Sequence, residues 1–138
     1  MVKSAMDYVS EGIYWSEEAE RLWRRLRELL GRPRLQDTGW KMDVVNLADR
    51  LDRLYNEVLY YKGVPPEAQN VHRIYKEIAI HMHNALDSLC KGVAQNDHEL
   101  MLNTQEMSAA SRLTEPLNIE MGKLTQIAKA QDWRLQTH

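Results

Sequence analysis

Apolar residues recur every three to four positions through four segments of this chain, and breaker residues separate the segments at three places. That period belongs to the amphipathic α-helix, whose apolar stripe has to be buried against another element. The last segment is the most regular. Met107, Ala110, Thr114, Leu117, Met121, Leu124, Ala128, Gln131 and Leu135 advance with a mean step of 3.5 residues. A 3.5 repeat keeps its stripe against a partner only when helices coil left-handed around one another.

The second segment carries Val44, Leu47, Ala48, Leu51, Leu54, Tyr55, Val58 and Tyr61 in the same rhythm. The third carries Val71, Ile74, Tyr75, Ile78, Met82, Ala85, Leu86, Leu89 and Val93. In the first, Val2, Val9, Ser16, Trp23 and Leu30 lie seven apart, with Ala5, Gly12, Ala19 and Leu26 between them. This predicts a helix from about Ser4 to Leu30. Gly12 and Ser16 are its weak points, and a fresh start at Ser16 is the alternative.

The breakers are Gly31 to Arg34 followed by Asp37 to Gly39, then Gly63 to Glu67, then Gly92 through Asn96 and Asp97. Each reads as a helix stop and a helix start. Glycine suits the left-handed position just past a helix end. Pro66 fits a first helical position, Glu67 the positive end of the dipole, and Asp97 an N-cap. Pro116 falls inside the fourth pattern, where a proline costs about 3 kcal/mol unless the helix adjusts. The repeat continues past it in phase, which predicts a kink near Pro116 and not an end. Short connections make neighbouring helices antiparallel. The expected fold is all-α: one domain over 1–138, an antiparallel up-down-up-down four-helix bundle with long helices. A rod of roughly 40 Å follows from the helical rise.

Composition narrows the function classes. Hydrophobic residues make up 43% and charged residues 28%, which excludes intrinsic disorder. The net charge is -2 and charge is evenly spread, so nothing calls for nucleic acid or an anionic membrane. No apolar run approaches the ~18 residues of a membrane span. The N-terminal residues lack the apolar centre of a secretory signal, and Cys90 stands alone. Together these favour the cytoplasm.

Histidines and carboxylates are the first place to look for chemistry in a bundle. Residues 69, 78, 80 and 95, three before the internal histidines, are Gln, Ile, Ile and Gln, so the Glu-x-x-His pair of di-metal bundles does not occur. Glu77 and His81, four apart, could form half a metal site, and His81 borders the core stripe. The alternative is a half-buried histidine bonded to a neighbour. His81, Tyr75, Met82 and Met107 would line a site for haem or another small ligand between the third and fourth helices. Met also fills cores readily, and this chain has no Phe. A third reading is a magnesium-dependent all-α nucleotide pyrophosphatase using Asp52 and Glu57. Against it, the carboxylates at Glu17, Glu20, Asp49 and Asp52 fall on different faces and cannot converge on one ion. No nucleophile–base pair, phosphate loop or cofactor fingerprint occurs, so no cofactor is implied.

Arg21, Arg24, Arg25, Arg27, Arg32 and Arg34 form the densest charge run. It is interleaved with Glu17, Glu18, Glu20 and Glu28 in the favourable i, i+4 order. It reads as an ion-paired helix face; the alternative is a partner or RNA contact through Arg32 and Arg34. Tyr60 and Ile80 lie opposite the stripes of their helices, and Trp15, Trp40 and Trp133 fall near predicted helix ends. Aromatic and apolar residues left outside a core are frequent interface anchors. The leading expectation is a non-enzymatic interaction or assembly module, a homodimer or a binder of a protein partner, with Tyr60, Ile80, Arg32 and Arg34 at its interface.

Overall fold

The computed structural model describes residues 3–102 and 104–136, with the backbone alone at 104 and 132–136. The side chains of Leu135 and Trp133, and Val2 and His138 entirely, lie outside the described residues. Helix α1 spans Ala5–Leu30, α2 Thr38–Leu59 and α3 Gln69–Gln95, the last preceded by one 3₁₀ turn at Pro66–Ala68. The fourth arm is divided into α4 (His98–Met101), α5 (Thr104–Arg112) and α6 (Thr114–Gln136). No strand occurs among the described residues.

The chain is an all-α four-helix bundle. α1 packs on α2, α2 on α3, α3 on α4, α5 and α6, and α6 closes the ring against α1. At ~1.5 Å per residue the 26 residues of α1 and 27 of α3 reach about 40 Å. One cluster of buried side chains runs through the ring, with Val44, Leu51, Leu26, Val71 and Leu124 almost wholly enclosed. Burying such a side chain contributes about 1.5–3 kcal/mol each, which is what holds helices this long together.

The starts follow the caps. Ser4, Asp37 and Asp97 each accept a hydrogen bond from the backbone N–H three residues on, at 3.1, 3.2 and 3.1 Å. Trp40 then ties the head of α2 to the tail of α1, its Nε1 donating to the Leu29 carbonyl at 2.9 Å. That bond satisfies one of the carbonyls a helix end leaves open.

The stops differ from expectation at two glycines. Only Gly63 takes positive φ, at 81°, and its carbonyl accepts from Lys3 N at 2.8 Å. Gly31 caps α1 in the right-handed region, at φ -69°. Gly92 lies inside α3, which runs on to Gln95, and Asn96 takes the left-handed cap at φ 54°. Asn tolerates that region better than most residues. Gly92 serves a close approach instead: a Cβ there would lie 2.4 Å from Met101 Cγ and 2.6 Å from Met101 N.

The fourth arm breaks at Leu113, three residues before Pro116. The cause is geometric. The proline ring clashes with the carbonyl four residues back and supplies no N–H to it. That carbonyl belongs to Arg112, the last residue of α5. Restarting at Thr114 puts Pro116 in a first turn, where an N–H has no helical partner anyway.

α1 runs unbroken through Gly12 and Ser16. Its buried face is Ala5, Tyr8, Val9, Gly12, Trp15, Leu22 and Leu26, rotated from the seven-residue series read from sequence. Ser16 is exposed and Trp15 is buried in its place. A Trp ring buries 150–250 Å², roughly, so it decides the phase of the helix. Trp15 and Trp40 are therefore core residues and not spare surface aromatics.

Candidate functional site

The bundle's most distinctive interior feature is a group of rings where α1, the chain after α2, and the start of α3 meet. Tyr8 and Trp15 come from α1, Tyr61 follows α2, and His72 and Tyr75 come from α3. Trp15 lies edge-on to Tyr8, Tyr61 and Tyr75, with centroids 5.9, 5.1 and 5.4 Å away. Tyr8 is edge-on to Tyr61 and to His72 at 5.8 and 5.7 Å. Such T-shaped pairs contribute about 0.5–1.5 kcal/mol beyond the area they bury.

Three polar atoms of this group are hydrogen-bonded and one is not. The Tyr8 hydroxyl and His72 Nδ1 are 2.9 Å apart. Tyr75 Oη donates to the Gly12 carbonyl at 3.0 Å and meets Ser16 Oγ at 3.0 Å. The Tyr61 hydroxyl is buried without a hydrogen-bond partner among the described residues. Lys3 Nζ lies 4.9 Å from the Tyr61 ring centroid and caps it. Burial pushes the Tyr8 and Tyr75 phenols above their ordinary range, so both stay protonated. Burial, then the Lys76 charge, holds the His72 imidazole below its ordinary range. His72 is the one polar or charged residue that is buried among the described residues, at 7% exposure.

Of the candidates read from sequence, Tyr75 belongs to this group and the others fall elsewhere. Tyr75 is turned to α1 by its two hydrogen bonds. His81 is turned to α5, where its Nδ1 sits 2.6 Å from Glu106 Oε2. Met82 is buried in the core, Met107 is half-buried on α5, and Glu77 is exposed. Tyr75 and His81 thus address different neighbours. No group of three His, Cys, Asp or Glu side chains placed to hold a metal occurs among the described residues.

Asp52, on α2, is engaged by His83 of α3, with Oδ1 2.6 Å from Nδ1. Glu57 is exposed. The Asp52–His83 pair lines a groove of about 190 Å³ between α2 and α3 that also holds Cys90, Asp49 and Asp87. Burial raises the Cys90 thiol above its ordinary range, and the Asp87, Asp52 and Asp49 charges raise it further. A thiol in that setting is a poor nucleophile.

On the surface, Arg21 pairs with Glu18 and Arg24 with Glu20, the second at 3.1 Å. Arg32 and Arg34 line an open cleft with Glu28, Asp37, Trp40 and Asp43, two cations among three anions. Tyr60 is 77% and Ile80 49% exposed. A further groove, of about 460 Å³, runs along the outside of the kinked fourth arm between α3 and α6, with Ile74, Pro116 and Ile119 in its lining.

Sequence reasoning passed over His72, Tyr8 and Trp15. The available signal was the seven-residue spacing of Tyr8 and Trp15 on one helix and the three-residue spacing of His72 and Tyr75 on another. No protein-family model matches the chain, no curated protein matches it, and no solved structure matches it. No helix of the described residues is long and apolar enough to cross a membrane.

Proposed function

We propose that this chain is a non-catalytic helical-bundle module of the cytoplasm that works by association, as a homodimer or with a protein partner. One observation carries this: large apolar side chains stand in solvent on the outer faces, outside the buried core cluster. Tyr60 is 77% exposed, Met42 59% and Ile119 52%, and Ile80 joins them on α3. Apolar area left outside a complete core lowers solubility without aiding the fold, and association removes that area from water. The lone thiol Cys90, a poor nucleophile, favours the cytoplasmic placement.

Sedimentation velocity over a concentration series tests the homodimer form. A species of twice the chain mass that dissociates on dilution is the expected result. A single chain mass at every concentration would remove self-association, and cross-linking with mass-spectrometric identification in cells would then have to yield one stoichiometric partner. Failure of both removes the proposal.

A further inference from the structure

We infer that two copies of this chain pair through the outer face of the kinked fourth arm, about a two-fold axis passing by Pro116. The inference rests on the association reading and names its occupant, a second copy. The groove between α3 and α6 has an apolar floor in Ile74, Pro116 and Ile119. Its lining also carries Arg73, Arg112, Glu115 and Glu120, two cations and two anions. Arg73, Arg112 and Glu115 form no salt bridge among the described residues, while Glu120 is 3.3 Å from the exposed Lys123. An apolar floor with a balanced charged rim suits a surface of like composition.

The spacing makes it self-complementary. Arg112 lies four residues before Pro116 and Glu120 four residues after it. Pro116 and Glu120, four apart on α6, form a ridge of the kind by which helices pack, and Arg112 lines the same groove from across the break. In an antiparallel contact centred on Pro116, Arg112 of one copy comes opposite Glu120 of the partner subunit. The two-fold repeats the pair with roles exchanged, as an isologous interface requires. Ile119 stands beside the axis, so each copy covers the isoleucine that the other leaves in water. The break at Leu113 matters here, because it leaves Arg112 and Glu120 lining one groove although they belong to different helices.

Charge reversal tests this. Arg112→Glu alone and Glu120→Arg alone each place like charges across the axis and should weaken dimerisation by about tenfold or more. The double variant Arg112→Glu/Glu120→Arg restores opposite charges and should recover most of the wild-type affinity. Ile119→Lys should abolish the dimer. All three positions of substitution are on the outer surface or its edge, and circular dichroism checks that each variant is folded. A wild-type dimer indifferent to the single reversals would overturn this face while leaving the association reading intact. A dimer weakened by the single reversals and not recovered in the double would also overturn it. A wild-type monomer would overturn this face together with the homodimer form of the association reading.

Discussion

The Tyr8 hydroxyl and Nδ1 of His72 lie 2.9 Å apart, a hydrogen bond between residues 64 positions apart in the chain. Burial favours the neutral imidazole, and that form with its proton on Nε2 accepts the phenol hydrogen at Nδ1. This one bond fastens the first turn of α1 to the first turn of α3.

Acid should loosen that fastening. His72 has its pKa lowered in the folded chain, by burial and then by Lys76, relative to about 6.5 in the unfolded one. The neutral form is the one the fold favours. The stability is therefore fully present above the unfolded value and is lost as pH falls through the lower folded value. Denaturant titrations at a series of pH values should show wild type losing stability on the acid side more steeply than His72→Phe. The variant should be weaker near pH 8, by about 1–3 kcal/mol, because Tyr8 is left without an acceptor. Parallel profiles for the two proteins would refute the role given to His72.

Gly92 and Gly122 should respond oppositely to alanine. A Cβ at Gly92 meets Met101 Cγ, Met101 N and Asp97 O at 2.4, 2.6 and 2.8 Å, and two of these are backbone atoms that cannot step aside. Gly92→Ala should cost about 1–3 kcal/mol. A Cβ at Gly122 meets nothing within 4 Å, so Gly122→Ala should be neutral or stabilise α6 by up to about 1 kcal/mol. Thermal melts of the two variants check this. Equal effects would mean that α4 does not fold back onto α3 as described.

Cys90 should react slowly with thiol reagents near neutral pH. Its pKa is raised by burial and then by Asp87, Asp52 and Asp49, which leaves less thiolate than an ordinary cysteine has. The labelling rate should climb only at pH values above the usual thiol range. Asp87→Asn should move that rise to lower pH, since it removes the largest of the three charges acting on the thiol. A labelling rate at pH 7 equal to that of a free cysteine would contradict this environment.

The four-helix fold was legible because three helices carry long, uninterrupted stripes and because caps such as Asp97 advertise their roles locally. The kink was legible from Pro116, though its position at Leu113 follows from the clash four residues back. α1 was harder. Its residues support two neighbouring phases, and the choice depends on what Trp15 packs against, which no local pattern states. The same holds for the ring cluster. Tyr8 and His72 look unremarkable in their own helices, and only the antiparallel stacking of α1, α2 and α3 brings them together. His81 looked like a ligand-lining residue from its place at the stripe's edge. Its partner Glu106 sits 25 positions away on α5, beyond the reach of periodicity.

The most direct test of the association account is native mass spectrometry of gently purified protein at tens of micromolar. The account predicts a species of two chains with no added mass. A bare single chain at every concentration, or a single chain carrying one retained small molecule, would contradict its homodimer form.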